Sequence, residues 1–496
     1  GAGVEIASTG SIKVHGHLIT SDNFLVKSTS SRFGSLIVVK YEDEDDDQIP
    51  TVSAQVTGKV KYSRFVNDRG DNDLISAPVS GQGFMEFWQT NPNLARNNAG
   101  TRFIFGPFDK ATGDYVISTD SDNYILEPGI GYRAASEGRD PLVFNGTVSV
   151  GNVSVTIEES GTGYKEWNLI GNPYPTFISL QALGGPNQNL LHAEAQGIYA
   201  YTPGNSSNKW RPILFGAHAG AAIAPGQGFY VAALPTAGSF LFRPSMMMDG
   251  SESDDFIAGR TENKDANSGF LKLNISNEGK NYDTELFFME QASRGLDPGY
   301  DGRVYGKKAG AFAIYSHLVE DSKGTDMAVQ SVGYSDLTNG VVIPIGINAS
   351  EGMQITVNIS EFNLPEGTEV RLEDNSNNTF TLLNTSDYTF TATSNLKDIG
   401  RFFLHVSTKP LSNKDDILNG LQIYTTNKSK TLYVKGLIKD QAQVNIYDIQ
   451  GRIMTSASLK ANTNSNEVDM SNLSTGIYVA ELKSSGSVKT QKVILK

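Results

Sequence analysis

Cysteine is missing from all 496 residues. That excludes disulfides, thiol nucleophiles and Cys-ligated metal sites, and leaves the redox compartment open. No apolar run approaches the ~18 residues that a membrane-crossing helix needs. Histidine is scarce, with six residues in the chain. None belongs to a His-Glu-x-x-His motif or a His-x-x-x-His pair, so a zincin-type centre has no ligands. His15 and His17 are two apart, and on one strand they would face the same side. No Gly-x-Ser-x-Gly elbow is present, so a serine hydrolase of that type lacks its strained nucleophile turn. Positive charge is in deficit: the net charge is −13 and the pI is near 5.0, which argues against binding a phosphate backbone. The opening Gly1-Ala2-Gly3-Val4-Glu5 lacks a charged and then apolar leader. A signal peptide is therefore expected to have been removed or to lie outside this sequence.

Glycine, in contrast, is abundant at 50 residues, and with Asn, Ser and Thr it favours turns and strands over long helices. Two repeats stand out. Gly10-Ser11-Ile12-Lys13-Val14 is echoed at twelve-residue steps by Asp22-Asn23-Phe24-Leu25-Val26, by Gly34-Ser35-Leu36-Ile37-Val38 and, after a step inside the acidic run Tyr41 to Gln48, by Gly58-Lys59-Val60-Lys61-Tyr62. A turn plus a short strand at fixed spacing predicts stacked β-solenoid rungs, with a plain β-meander as the alternative. With no capping element before it, residue 1 is expected to be the end of a longer stack or a cut. The second repeat is Gly81-Gln82-Gly83-Phe84, Pro128-Gly129-Ile130-Gly131-Tyr132 and Pro225-Gly226-Gln227-Gly228-Phe229. Such paired glycines permit positive φ and close backbone approach ahead of an aromatic strand. No helix long enough for a phosphate-cradling loop is expected after any copy. Trp167-Asn168-Leu169-Ile170-Gly171-Asn172-Pro173-Tyr174-Pro175 reads as a strand ending in a rigid turn at a sandwich edge, because both prolines bar a central strand.

These patterns predict an all-β protein: several β-sandwich modules, Ig-like or jelly-roll, in series behind the short solenoid-like or meander segment. The expected boundaries are 1–65 for the β-repeat, 66–262 for a first sandwich, 268–410 for a second and 417–496 for a C-terminal domain. Ser245 to Asn267 reads as a linker, and Thr408 to Asn419 as an exposed connector. The last ~75 residues alternate in short apolar bursts punctuated by glycine, a pattern of about seven antiparallel strands.

Val444, Ile446, Tyr447 and Asp448, then Gly451-Arg452, then Leu473, then Gly476-Ile477-Tyr478, and a terminal run containing Lys489, Lys492 and Lys496 resemble the type A C-terminal sorting domain of the type IX secretion system. That system exports cargo across the outer membrane of Bacteroidetes-type bacteria. The opening departs from the family pattern: Gln422 to Asn427 stands where a Tyr-Pro-Asn-Pro-like segment is usual. The resemblance implies a secreted or cell-surface protein, associated with the outer membrane in transit. It implies as partners the system's shuttle barrel (PorV type), its translocon pore (SprA type) and a sortase-like peptidase that removes the domain at the connector. It also implies an adhesin-like or gliding-linked cargo, itself not membrane-spanning.

No catalytic constellation accompanies this signal, so a non-catalytic adhesive or structural protein is expected. The alternative is a secreted hydrolase whose catalytic module lies upstream, or whose carboxylate pair is invisible in one sequence. No cofactor is expected, with calcium as the one candidate. Asp297 and Asp301, in Gly-Leu-Asp-Pro-Gly-Tyr-Asp-Gly, lead, followed by Asp68, Asp71 and Asp73 and by Asp120, Asp122 and Asn123. Calcium takes six to eight oxygens, which clustered carboxylates and loop carbonyls can supply. Solvated Asx-turns are the plainer reading of each loop.

Overall fold

The computed structural model describes residues 3–21, 23–41, 51–202, 207–250, 268–408, 421–426, 430–438, 441–484 and 487–495. Asp22, the acidic run Glu42 to Asp47, most of the Ser245–Asn267 segment, the connector after Thr408 and Lys496 lie outside the described residues. The fold is all-β, with few and short helices. Two compact units form: residues 1–266 with 297–306, and residues 267–296 with 307–496.

The first unit opens as a coil of parallel strands. One turn comprises β1 (Val4–Ile6), β2 (Ser11–His15) and β3 (His17–Ile19). The next comprises β4 (Phe24–Lys27), β5 (Ser35–Val39) and β6 (Gln55–Thr57), and β7 (Val60–Arg64) starts a third. Each strand pairs in parallel with its counterpart one turn on: Val4 with Phe24, Ser11 with Ser35, His17 with Gln55 and Leu25 with Lys61. A meander would pair antiparallel, so the segment is solenoid-like. The twelve-residue copies are not successive rungs, however. The copy at residue 10 stacks on the one at 34, and the copy at 22 on the one at 58, because a full turn takes three strands. Ile6, Phe24, Val26, Leu36, Val38, Val60 and Tyr62 fill the interior. Gly16, at φ +90°, makes a corner between β2 and β3. His15 and His17 therefore lie on different strands, against the expectation that one strand carries both.

The rest of this unit is built on the glycine motifs. Their first glycines, Gly81, Gly129 and Gly226, have φ of +88°, +87° and +62°, a region that side chains strain to enter. Their second glycines admit close neighbours. A Cβ on Gly228 would stand 2.7 Å from Ile75 N, and one on Gly131 would stand 2.9 Å from Ile170 O. The aromatic residue that follows is a core anchor in each copy: Phe84, Tyr132 and Phe229 are buried. The first copy departs from expectation by opening a seven-residue helix, Phe84–Thr90, instead of a strand. Trp167–Gly171 is the edge strand of a four-stranded sheet. The turn after it is locked by Asn172, whose Nδ2 donates to the carbonyls of Thr176, Ile223 and Ala224. The segment read as a linker from Ser245 begins inside the fold. Met246 is buried, and Met247 and Met248 pair with Ile178 and Phe177.

In the second unit one sheet runs through Thr379–Leu382, Glu369–Asp374, Phe402–Ser407, Val341–Asn348, Ala313–Ser316, Met327–Gly333, Lys280–Met289, Ser268–Asn277, Gln354–Asn363 and Tyr388–Thr391. The first and last of these are neighbours in sequence, joined by residues 383–387, so the sheet's two edges are brought together. Tyr388 Oη donates to Asp374 Oδ2 at 2.7 Å, and Phe390 packs on Phe402 with ring centroids 5.1 Å apart. The result is a nearly closed, barrel-like sheet, where a second sandwich or jelly roll is expected from the sequence. The same unit ends in a seven-stranded sandwich, which carries the candidate site.

Candidate functional site

Residues 421–495 form two sheets. One has Thr431–Ile438 between Gln422–Thr426 and Thr463–Asp469. The other runs Ile453–Leu459, Ala442–Asp448, Gly476–Ser484, Ser487–Leu495. Strand alternation sends every second side chain between the sheets. Leu432, Val434, Val444, Ile446, Ala480, Leu482, Val493 and Leu495 meet there. Leu473 and Tyr478 close one end, and Tyr478 Oη donates to Ser474 O at 2.9 Å. Val444, Ile446, Leu473 and Tyr478 of the motif set are thus core residues.

A second group forms a self-locked hairpin turn. Asp448 Oδ1 accepts from the backbone N–H of Gln450 and Arg452, and Arg452 Nε donates to Asp448 Oδ2 at 2.7 Å. Gly451 takes φ +79°, as an Asx-type turn favours. The Arg452 backbone N–H, and then its guanidinium, hold the Asp448 carboxyl below the usual carboxylate range. Gly476 starts the strand that follows the Leu473 turn.

The third group faces outward. Cross-strand register places Ile453, Tyr447, Val479 and Lys492 in one row, with Ile477 opposite Ile494 two residues along the strands on the same face. Ile453 is 60% exposed, Ile477 45% and Ile494 41%. Tyr447 Oη donates to Glu481 Oε1 at 2.8 Å. Lys483 and then Tyr447 hold the Glu481 carboxyl below its ordinary value, while Glu481 raises the Tyr447 phenol. The outer sheet face is therefore an apolar stripe edged by Lys492 and a Tyr–Glu–Lys cluster. Sequence motifs supply Tyr447, Ile477 and Lys492. They also run through Val479 and Ile494 without marking a shared face, and they miss Ile453; the three join the face only through strand register, and register is not written in a single strand. Lys489, on the last strand, lies differently. Its Nζ donates to Leu421 O, and burial followed by the nearby Arg294 pushes its pKa down to about 8.

The calcium candidates all lie in the first unit. Asp301 is buried, and its Oδ2 accepts from the Asp297 N–H at 2.6 Å. Asp73 accepts from Asn67 N and Nδ2. Asp122 accepts from Thr119, and Asp120 pairs with Arg96 at 2.8 Å. Asp68 accepts from Gly70 N. Of these only the Asp68–Gly70 contact has the form of an Asx-turn; the others tie neighbouring loop segments or pair with a cation. Among the described residues no three Asp, Glu or His side chains converge on one point.

Comparison with known proteins adds two family matches. A model described as a domain of unknown function (DUF8693) matches residues 4–405, and one described as a secretion system C-terminal sorting domain matches residues 423–496. No curated protein matches the chain. Among solved structures, the chain is similar to one titled "Biofilm associated protein - BSP domain". The identity is 10% and the TM-score 0.18, over 82% of this chain and 68% of that chain.

Proposed function

We propose, for a chain that belongs to the DUF8693 family of unknown function and ends in a secretion system C-terminal sorting domain, a working life outside the cell as a non-catalytic adhesive or structural protein. The sorting domain makes the chain a type IX cargo, exported across the outer membrane to the cell surface or released. That match over residues 423–496 is the observation that carries the reading. Sandwich, coil and barrel-like sheet offer stiff disulfide-free surfaces suited to attachment, and surface attachment is the property through which such a cargo would serve gliding.

In this proposal the translocation machinery reads the outward face of the four-stranded sheet. The apolar stripe of Ile453, Val479, Ile477 and Ile494 matches a partner that buries it, and Lys492 and Tyr447 fix orientation. The shuttle barrel of PorV type is the first reader and the SprA-type pore the route. A sortase-like peptidase then acts in the connector that starts after Thr408. Calcium at the Asp297–Asp301 turn belongs to the proposal as an external stabiliser, since Gly299 at φ +84° curls the backbone between the two carboxylates. The experiment is to use residues 417–496 as bait against outer-membrane extract. The expected catch is an outer-membrane barrel that is lost when Ile477 and Ile494 become Asp. Equal capture by the doubly substituted bait would overturn the assignment of the face.

A further inference from the structure

Within the second unit, the sorting sandwich carries a cation in an unusual place. Lys435, on its strand Thr431–Ile438, is only 7% exposed. Its Nζ donates to Ser465 Oγ, its register partner on the neighbouring strand of the sandwich, at 2.6 Å. On its other side lies the preceding sheet, with the Phe403 ring centroid 5.7 Å away. The Asn375 amide, turned with its nitrogen toward Glu373, donates to Glu373 Oε1 at 2.5 Å and accepts from Lys435 Nζ at 3.3 Å. Glu373 is fully buried and also bonds His405 Nε2 at 2.8 Å. A buried ammonium without compensation is costly, and here Ser465 and Glu467 of the sandwich share that compensation with the sheet of residues 268–408. Glu373 is the leading charge that offsets the burial of Lys435.

Three further contacts surround this seat. Gln422 Nε2 donates to Val342 O. Tyr424 is pushed up by burial, with Tyr433 and then Glu373 adding to the shift. On the last strand, half-buried Lys489 lies within electrostatic reach of Arg294 and Glu320. Four residues spread over three strands of the sandwich thus meet one surface of the preceding sheet.

We propose that the sorting sandwich is docked on the sheet of residues 268–408, with Lys435 as its anchoring cation and Glu373 with Asn375 as the seat, so that cutting the connector does not by itself release it. A short tether supplies an effective concentration near the millimolar range, which holds even a weak contact closed. Scission removes that help, so only a true interface survives it. Removal of the sorting domain after export then becomes two events, cleavage and undocking. The outward stripe of Ile477 and Ile494 stays available to the secretion machinery, because the seat uses other residues and shares only the last strand, through Lys489.

The test is made on the purified full chain, with a site-specific protease site placed in residues 409–420, and needs no export. After complete cleavage at ~10 µM, the two fragments should co-elute on size exclusion. Lys435→Met, which keeps the stem and removes the charge, and Glu373→Gln on the opposite side should each weaken association at least tenfold and let the fragments separate. Because Lys435 also serves Ser465, circular dichroism of the released sandwich shows whether it remains folded, and Glu373→Gln leaves that fragment's sequence untouched. Separate elution of the unsubstituted fragments would overturn the proposal. So would co-elution unchanged in both variants.

Discussion

Gly228 and Gly185 make a matched pair at the residue scale. A Cβ on Gly228 collides with backbone at 2.7 Å, at Ile75 N and Leu74 C, and backbone cannot step aside as a flexible side chain can. Gly228→Ala is expected to cost roughly 2–4 kcal/mol of unfolding free energy. Gly185 sits within the helix Leu180–Asn187 with nothing within 4 Å of the added atom. Gly185→Ala should change stability by under about 1 kcal/mol, because its gain in helix propensity is offset by the crowding of a Cβ ahead of Pro186. Urea titration of both variants checks the contrast, and equal effects would contradict it. Asp301 gives a second residue prediction. Removing its carboxylate orphans the Asp297 N–H, so Asp301→Ala should lose about 1–3 kcal/mol with chelator present. A melting point of the unsubstituted protein that rises with millimolar calcium, in a way the variant lacks, would locate the cation there. Identical curves with and without calcium would remove calcium from the account. Lys489 sets a pH dependence. Its folded pKa of about 8 lies below the ordinary lysine value of ~10.4. Between the two, the unfolded chain holds the extra proton, so this group makes stability rise with pH; below 8 both states are charged and it contributes no slope. The unfolding equilibrium should tilt toward the native state by up to about tenfold per pH unit in that window. Lys489→Met should flatten the rise, and an equal slope in the variant would contradict it.

At the scale of elements, the sequence shows some strands clearly and hides others for physical reasons. The sorting sandwich was legible because alternation around Val444 and Ile446 and the Asp448–Arg452 turn are local signals. The glycine pairs were legible too, since positive φ and missing Cβ atoms leave a mark in composition. The coil was half legible. Its strands showed, but its turn of three strands did not, because the segment between β5 and β6 stretches the spacing from Ser11–Ser35 to His17–Gln55. In the barrel-like sheet, the alternation of Leu271, Leu273 and Ile275 marks one arm of a hairpin, while the partner Lys280–Met289 is buried at every residue from Thr284 on and so carries no alternation there. Glu278 and Gly279, at φ +42° and +86°, make the two-residue turn that joins them, a signal weaker than Asn-Gly. The outward face of the sandwich was least legible, since Ile453 and Ile494 join Tyr447 and Ile477 only through register. The division between faces makes an element-scale prediction. Ile477→Lys with Ile494→Glu, an opposite-charge cross-strand pair, should shift stability by under about 1 kcal/mol and block export, because the substituted side chains reach water. Val444→Ala, inside the core, should cost roughly 1–3 kcal/mol and leave export intact wherever the domain still folds. The reverse pattern would mean that folding alone, and not this face, governs routing.

At the scale of the whole molecule, the two family matches differ in what they say of the chain. Residues 4–405 belong to a family defined without a function, and the terminal 423–496 stretch states where the chain is sent. The acidic surface, with a net charge of −13, keeps such a protein soluble outside the cell. The central claim is that the last sandwich routes everything before it across the outer membrane. The direct measurement compares the full chain with a version ending at residue 416, each expressed with a signal peptide in a bacterium that carries the type IX system, by protease shaving of intact cells. The full chain should be cut on intact cells, while the truncated chain should resist until the outer membrane is breached and then prove folded. Equal cutting of both on intact cells would contradict the account.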